Sequence, residues 1–402
     1  MSESQPREYD VVLGGASQAP VDGVVLGGIE GAKQRFASNS ENYRILALEE
    51  LIRYGEEGLD LVIHGLRDSS ENVKIKAYKL LRGLSNSKAQ RAIKKINHYR
   101  FFKCLYSLEQ YSIRTLSIYF NLDNQTTIFG GYAGIFLYNW QTRTLQRRDL
   151  EGHSDAVNFF KFNLNGDKII GGSYKYQRIK VWNWHTGENI VAPIKQYSDG
   201  INSIALVPDN KTLIIGCING FIKIYNWQTG ELQKIIEDEF RGSYINLSID
   251  GSTLVKNNSQ IIKVLDWKTN KIQNFIEEER GITCAIITPD GQSIIHGCKD
   301  EKIKVRDINT GYPKLIFNSE KQFKRFRKGI FKPIDSMAIN SSGDTIVTGD
   351  WEGKVKVWNL HTGELKCTLE KHLNQVECVA ISPDEQIIVS HSPSVIKVWG
   401  LE

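Results

Sequence analysis

The stretch Ile179–Trp184, which reads IKVWNW, is one of seven variants of a short apolar segment that recurs along the chain. The other six are GIFLYNW ending at Trp140, IKIYNW at Trp227, IKVLDW at Trp267, IKVRDI at Ile308, VKVWNL at Leu360 and IKVWGL at Leu401. Measured at the Asn, Asp or Gly near the end of each copy, the spacings are 44, 43, 40, 41, 52 and 41 residues. A period of this length is typical of a propeller blade or a similar repeat unit.

Two turn signals keep the same register. A first set precedes each apolar segment and reads NLDNQ, NLNGD, VPDNK, SIDGS, TPDGQ, NSSGD and SPDEQ; a second follows most copies as HTGEN, QTGEL, KTNKI, NTGYP and HTGEL. Pro presets φ for a turn, and Gly, Asn and Asp tolerate positive φ, so both sets predict hairpins. Each unit then holds four short antiparallel strands. The sequence predicts an all-β propeller of seven blades, preceded by a small all-α module.

The seventh unit lacks an outer strand after Leu401, and a candidate for it lies near the start of the repeats. FKCLYSLEQYSIRTLSI, from Phe102, matches LKCTLEKHLNQVECVAI, from Leu365, in register. We therefore expect residues 102–108 to pair with the strand that ends at Leu401. This pairing would remove two exposed sheet edges, which otherwise invite aggregation.

These units resemble WD repeats, and the resemblance covers residues 102–401. The Gly-His pair of the family stands as Gly152-His153, with a partial match at His372, and the Trp-Asp pair appears as Trp182-Asn183, Trp358-Asn359 and Trp399-Gly400. The family joins a buried His, Ser or Thr, Asp and Trp by hydrogen bonds in each blade. The resemblance implies two such structural sets without a clear Asp: His153, Ser173 and Trp182, and His372, Ser390 and Trp399. Without a matching carboxylate to orient the His, a catalytic triad is the weaker interpretation.

Two further columns recur in the apolar segments. The lysines Lys180, Lys223, Lys263, Lys304, Lys356 and Lys397 form either a charged ring or, as we expect, stems that cover apolar surface while their heads reach water. Seven of the eight tryptophans close the segments, where they form either a ligand cage or, as we expect, packing between blades.

The chain before the repeats divides in two. Residues 1–28 are small and polar and predict a flexible segment. Residues 29–100 change to a helical period, with Ile45, Leu48 and Ile52 on one face, and resemble a HEAT-like helical module. Residues 11 to about 100 also resemble a leader module that precedes repeat domains in cyanobacterial proteins. Because so few helical repeats rarely bury a stable core alone, we expect this module to dock on the propeller, which spans 101–402.

Two basic stretches are candidates for binding. Ten lysines and arginines and no acidic residue lie between Glu71 and Glu109, and six more accompany three phenylalanines in the insertion at 319–332 that causes the 52-residue spacing. The alternatives are solvated surface or a docking site for an acidic protein, a nucleic acid or an anionic membrane. The partner-binding candidates are Lys321, Phe323, Lys324, Arg325, Phe326, Arg327 and Lys328, with Tyr174, Lys175, Tyr176 and Trp351 in turns on the same face.

Composition limits the remaining function classes. The 402 residues are 24% charged and 41% hydrophobic, with a net charge of +5 and six scattered cysteines. We find no signal peptide, membrane span, metal-spaced Cys/His cluster, phosphate loop or nucleophile elbow. The sequence predicts a cytoplasmic monomer without catalytic, cofactor or metal residues that serves as a protein–protein interaction scaffold. Nucleic-acid or anionic-surface binding through 74–103 and 321–332 is the alternative.

Overall fold

The computed structural model describes residues 27–401 except 110–116, 121–125, 132–133, 141, 152–156, 158, 174–177, 191–193, 195–199, 239–243 and 319–332. The chain forms two compact units, Met1–Phe101 and Phe102–Glu402. Nearly all of the segment predicted to be flexible, 1–28, lies outside the described residues. Docking of the helices on the propeller stays a prediction.

The first unit is helical. Ser70 and Asn86 begin two of its helices by accepting hydrogen bonds from backbone N–H groups of the first turn. Leu48 is fully buried, as are Leu51 and Leu81. A Cβ on Gly58 would lie 1.8 Å from the carbonyl oxygen of Leu51, so only glycine lets the third helix start this close to the second. The helices are α1 (Gly28–Phe36), α2 (Glu41–Leu51), α3 (Gly55–Gly65), α4 (Glu71–Arg82) and α5 (Ser87–Ile93), followed by a 3-10 helix at His98–Phe101.

Within the described part of the chain, no helix is both long enough and apolar enough to cross a membrane.

The second unit is a propeller of seven antiparallel sheets, as the repeats predict. Blades 1 to 3 contain β2 (Ser117–Phe120), β3 (Thr126–Gly131), β4 (Gly134–Asn139) and β5 (Thr144–Arg148); β6 (Phe159–Phe162), β7 (Lys168–Ser173) and β8 (Arg178–Asn183); and β9 (Ile201–Leu206), β10 (Thr212–Cys217), β11 (Ile222–Asn226) and β12 (Glu231–Ile236). In blade 2, two isolated bridges, Ile179 with Ile194 and Trp182 with Asn189, stand where the fourth strand would be.

The other four blades have four strands each. They contain β13 (Tyr244–Leu247), β14 (Thr253–Asn257), β15 (Ile261–Asp266) and β16 (Lys271–Glu277); β17 (Ile282–Ile287), β18 (Ser293–Cys298), β19 (Lys302–Asp307) and β20 (Pro313–Asn318); β21 (Ile334–Ile339), β22 (Thr345–Asp350), β23 (Val355–Asn359) and β24 (Leu365–Thr368); and β25 (Cys378–Ile381), β26 (Ile387–Ser392), β27 (Val395–Gly400) and β1 (Lys103–Glu109).

The strand β1 completes blade 7 from the other end of the propeller sequence. It pairs antiparallel with β27, from Lys103 opposite Gly400 to Glu109 opposite Val395. The first strands of all seven blades contact one another in a closed ring, β2, β6, β9, β13, β17, β21, β25 and back to β2. This ring surrounds the central channel.

The Asn/Asp column of the repeat has a local structural cause. In blades 1 to 6, its side-chain oxygen accepts hydrogen bonds from backbone N–H groups of the turn between the third and fourth strands; Asn183, for example, accepts from His185 and Thr186 at 2.8 and 3.1 Å. The seventh member is Gly400, which is followed by no such turn because the fourth strand of its blade is β1. The column therefore marks hairpins and not ligand contacts.

The tryptophans pack between blades, as expected. Trp184, Trp227, Trp267 and Trp358 are each at least nine-tenths buried and lie in apolar clusters that join neighbouring blades.

Candidate interaction surface

Blade 7 contains a closed hydrogen-bond network at its centre. The Nε1–H of Trp399 donates to Ser390 Oγ at 2.7 Å, and that hydroxyl lies 2.7 Å from Nε2 of His372. On the other side of the ring, Nδ1 of His372 lies 3.1 Å from Ser392 Oγ, which donates to the carbonyl of Val395 at 3.3 Å. These contacts fix the direction of each hydrogen bond. Trp399 donates to Ser390, Ser390 donates to Nε2 of His372, and Nδ1–H of His372 donates to Ser392.

This network suits a structural role and not nucleophilic catalysis. His372, Ser390, Ser392 and Trp399 are each at most 1% exposed, so no substrate reaches the hydroxyl. Burial, with smaller contributions from the charges of Lys397 and His391, lowers the pKa of His372 to about 3 and keeps the ring neutral. Among the described residues, the hydrogen-bond partners of the His372 ring are hydroxyls and not carboxylates.

The second predicted set is only partly described. His153 and the side chain of Ser173 lie outside the described residues. Trp182 donates its Nε1–H to the carbonyl of Glu151 at 3.0 Å. The register also differs from the expectation: Ser390 pairs with Lys397, whereas the residue that pairs with the equivalent lysine of blade 2 is Gly171. Ser173 therefore occupies the position of Ser392 and not that of Ser390.

Blade 5 places charged groups at these same positions. His296 pairs with Lys304 just as Ser390 pairs with Lys397, and Arg306 stands where Trp399 stands. Glu278, in the connection before the first strand, takes the place of His372. The guanidinium of Arg306 donates to His296 Nε2 at 3.2 Å and to Glu278 at 3.2 Å, while Lys304 donates to Glu278 at 2.6 Å.

Cys298 lies beside Glu278 and His296. The three residues have potential metal-ligand atoms within 4.8 Å of one another. The set does not fit a metal ion. Two side-chain cations already pair with Glu278, and Nε2 of His296 accepts a hydrogen bond from Arg306, so its lone pair is occupied. The other ring nitrogen of His296, Nδ1, lies 3.5 Å from Cys298 Sγ, and burial raises the pKa of that thiol to about 12. The cluster is an ion-pair network.

The recurring lysines differ from the sequence expectation here. The head of Lys304 does not reach free water but bonds Glu278. In blade 4, Lys263 and Lys256 both bind the carboxylate of Asp238, at 2.8 and 2.9 Å. The expectation that the heads reach water is wrong at these positions because the acidic connection before each blade folds over them.

Trp351 is the one predicted partner-binding residue that the structure describes. It lies in the turn between β22 and β23 and is 56% exposed. Asp350 holds this turn by accepting the N–H groups of Glu352 and Lys354 at 3.0 and 2.9 Å. Tyr174, Lys175 and Tyr176 lie outside the described residues, as do Lys321, Phe323, Lys324, Arg325, Phe326, Arg327 and Lys328.

The turn of Trp351 is joined to the connection that leads into blade 7. His372 N donates to the Gly353 carbonyl at 2.9 Å, and Trp351 N donates to the Pro333 carbonyl at 3.1 Å. A Cβ on Gly353 would lie 2.5 Å from the carbonyl oxygen of His372, and its φ is +88°, so the turn requires glycine. Next to His372, the side chain of Leu373 is 94% exposed. The sequence contains a signal for this residue, because Leu373 is the one apolar residue in the polar run EKHLNQ.

Trp351 and Leu373 are thus two exposed apolar side chains on segments joined by a backbone hydrogen bond, and we call them the Trp351 rim. It lies on the face that carries the turns between second and third strands and the connections between blades, here called the connection face. Pro333, whose carbonyl accepts the hydrogen bond from Trp351 N, immediately follows the basic insertion 319–332. Near this rim, burial and the charges of Asp350 and Glu377 raise the pKa of Asp335 to about 6.

The helical unit presents part of the basic stretch. Lys76 pairs with Glu49 and Lys88 with Asp60, so acids of other helices balance these two cations. Arg91, Lys94 and Lys95 are exposed. A cavity of 470 Å³ is lined by Asp60, Ile63, Lys88, Arg91, Ala92 and Lys95.

Part of the propeller matches a known family model. The family model described as "WD domain, G-beta repeat" matches residues 144–183, 189–226, 324–359 and 363–400. The chain is 20% identical to periodic tryptophan protein 2 homolog of Dictyostelium discoideum over 308 residues, 74% of this chain and 32% of that protein. It is 28% identical to U3 small nucleolar RNA-associated protein 4 of Schizosaccharomyces pombe, over 53% of this chain and 24% of that protein.

A third relative is a target of rapamycin complex subunit of Mus musculus, 26% identical over 29% of this chain and 33% of that protein. The chain spans a third or less of the length of these three relatives. Four segments of the chain thus match the WD40 repeat model, and they lie within the unit that forms the seven-bladed propeller.

Proposed function

We propose that the protein is a non-catalytic scaffold that binds a protein partner on the connection face, at the Trp351 rim and the adjoining insertion 319–332. The observation that carries the proposal is the exposure of Trp351 and Leu373 on backbone that buried groups hold in place. Large side chains exposed on a rigid support lose little conformational freedom on binding, and tryptophan is enriched among the residues that dominate interfaces.

The rest of the molecule supports a binding role. The His372–Ser390–Trp399 network is closed and buried, and the acid cluster of blade 5 is filled by its own cations. One relative is named as a subunit of a complex and another as associated with an RNA, so both relatives are named for assemblies. The predicted contact residues Lys321–Lys328 and Tyr174–Tyr176 belong to this proposal.

The test is affinity capture from native lysate with four baits: the full chain, the double variant Trp351→Ala/Leu373→Ser, a deletion of 319–332, and Tyr312→Ala. Tyr312 is a matched control because it is 75% exposed in a turn between third and fourth strands, on the opposite face. We expect a defined protein to be retained by the full chain and Tyr312→Ala and lost from the other two. Retention of that protein by all four baits would contradict the proposal.

A second candidate is nucleic-acid or anionic-surface binding through the basic stretches at 74–103 and 321–332. The exposed cations Arg91, Lys94 and Lys95 favour it. If they contact phosphates, changing all three to Gln should lower the slope of log affinity against log salt by about 2 to 3. Lys76→Gln, which removes a cation already paired with Glu49, is the control. Absence of salt-dependent binding by the full chain would remove this candidate.

A further inference from the structure

The helical unit contains a groove between α3 and α5. The groove has a volume of 470 Å³ and opens to solvent, and α4 packs against both helices that form its walls. Two of its lining residues belong to α3, three belong to α5, and the sixth lies in the turn that directly follows α5. In chain order they are Asp60, Ile63, Lys88, Arg91, Ala92 and Lys95.

Part of the groove is apolar because α5 carries small side chains. Ala89 is fully buried, and Ala92, in the next turn, is partly buried and lines the groove together with the partly buried Ile63 of α3. The methyl group of Ala92 leaves the gap between the two helices open. Ile63 therefore keeps part of its aliphatic surface in contact with water, and burying that surface would favour binding of an apolar group.

The charges at the start of α5 are balanced by α3. Lys88 Nζ pairs with the carboxylate of Asp60 across the groove and lies 3.6 Å from that of Glu56. Two acids of α3 thus hold the first cation of α5. A ligand meets no net positive charge in this part of the groove.

The cations further along α5 have no such acid. Arg91 and Lys95 follow Lys88 by three and seven residues, and both side chains are exposed. No described residue forms an ion pair with either of them; the Arg91 Nε–H donates to the carbonyl of Ser87, in its own helix, at 3.4 Å. The groove therefore changes from balanced to positive along α5, and this charge favours an anionic ligand.

A protein segment fits this lining better than a nucleic acid does. A phosphate backbone would pair with Arg91 and Lys95 but would leave the surface of Ile63 in water. Within the described part of the chain, no aromatic side chain lines the groove, so an unpaired base has no ring on which to stack. A segment that carries both acidic and aliphatic side chains matches the cations and the apolar part together.

We propose that the groove between α3 and α5 binds an acidic protein segment, with carboxylates paired with Arg91 and Lys95 and an aliphatic side chain against Ile63 and Ala92. The groove is a second interaction surface, within the helical unit, and does not depend on the partner proposed for the Trp351 rim. It gives Arg91 and Lys95 a role other than phosphate binding, and the two roles predict different ligands.

The test is fluorescence anisotropy of labelled probes added to the full chain. The probes are the peptide EELEELEE, the peptide EESEESEE and a thymidine octanucleotide. EELEELEE should bind about tenfold more tightly than the other two, because only its leucines bury apolar surface in the groove. Arg91→Gln/Lys95→Gln should weaken binding of EELEELEE about tenfold, because two exposed ion pairs are lost.

The matched control is Arg53→Gln/Lys94→Gln, which removes the same charge from exposed positions of the helical unit that do not line the groove. It should bind EELEELEE nearly as tightly as the unchanged protein does. Because Gln has almost the helix propensity of Lys and Arg, both double variants should keep the Tm of the unchanged protein.

Three results would each overturn the proposal. They are failure of EELEELEE to bind, equal binding of this peptide by the two double variants, and binding of EESEESEE or the octanucleotide as tightly as EELEELEE. The octanucleotide result would instead assign the two cations to nucleic-acid binding. Loss of partner capture by the Trp351 variants has no bearing on these outcomes.

Discussion

Blades 5 and 7 share one backbone arrangement and differ in the chemistry at its centre. In blade 7, neutral groups close the network: His372, Ser390 and Trp399. In blade 5, the same three places hold Glu278, His296 and Arg306, and Lys304 adds a second cation. The positions are set by strand register, and in each blade hydrogen bonds join the members of the set. The fold therefore requires a filled network at this place and not one particular set of side chains.

The family model matches blade 7 and does not match blade 5. The matched segments include blades 6 and 7 but none of the residues from 227 to 323, which contain blades 4 and 5. Those are the blades in which Asp238 and Glu278 bind lysines. Both blades are nevertheless complete four-stranded sheets.

The largest effect should come from removing the acid of blade 5. Glu278→Gln leaves the partly buried Lys304 and Arg306 beside a neutral amide, and breaking a buried ion pair by removing one partner costs up to about 3–5 kcal/mol of unfolding free energy. The matched control is Glu370→Gln, whose carboxylate lies 3.9 Å from the equivalent lysine of blade 7, Lys397, and is 71% exposed. Exposed pairs contribute at most about 1 kcal/mol.

Urea unfolding of both variants measures this contrast. Equal destabilisation by Glu278→Gln and Glu370→Gln would show that blade 5 does not depend on its charged network.

A smaller effect should follow from Ser390→Ala in blade 7. The change leaves both the Trp399 Nε1–H and the His372 ring without their 2.7 Å partner, at a cost of about 1–3 kcal/mol. Thr348→Val in blade 6 removes only the acceptor of Trp358, a bond of 3.0 Å, and should cost less. Urea midpoints of the two variants give the comparison; a larger loss for Thr348→Val would contradict the assigned network.

The smallest expected effect, taken per pH unit, is on the pH dependence of stability. Burial, then the charge of Arg306, lowers the pKa of His296 to about 4, while burial lowers that of His372 to about 3. Both rings bind a proton near pH 6.5 in the unfolded chain, so acidification below about 6.5 favours unfolding until the folded values are reached. Each histidine contributes at most about 1.4 kcal/mol per pH unit.

Protonation of Glu278 does not contribute to the loss of stability in this pH range. Burial acts to raise its pKa, but Lys304 and Arg306 outweigh it and hold the pKa below its usual range, so its contribution is lost only at lower pH. Between about pH 6.5 and 4.5, His296→Gln and His372→Gln should each flatten the loss of stability, measured by urea unfolding at several pH values. His185→Gln, in an exposed turn, should leave the slope unchanged, and an unchanged slope in all three would contradict the assignment.

The sequence predicts the propeller well because the repeat columns encode local events. The Asn/Asp column specifies hairpins through its own turn, and the tryptophan column specifies contacts between adjacent blades. The network of blade 5 could not be recognised by motif because Glu278, His296 and Arg306 lie on separate elements and none matches the family pattern. An alignment of the units by register would have shown Arg306 beneath Trp399 and His296 beneath Ser390.

The candidate surface was harder to predict than the fold. Trp351 was singled out by its position in a turn, but Leu373 was not, because exposure of a single leucine depends on the path of a connection and not on periodicity.

The pairing of β1 with β27 also sets an order of events during synthesis. Lys103 and Gly400 are almost 300 residues apart, so the first strand of the propeller to leave the ribosome pairs with the last. At 5–20 residues per second, β1 waits roughly 15–60 s for its partner. During that interval six blades can form while the ring stays open, and both of its terminal edges are available to other strands. The closing strand thus makes the nascent protein, and not the finished one, the form that most needs protection by chaperones.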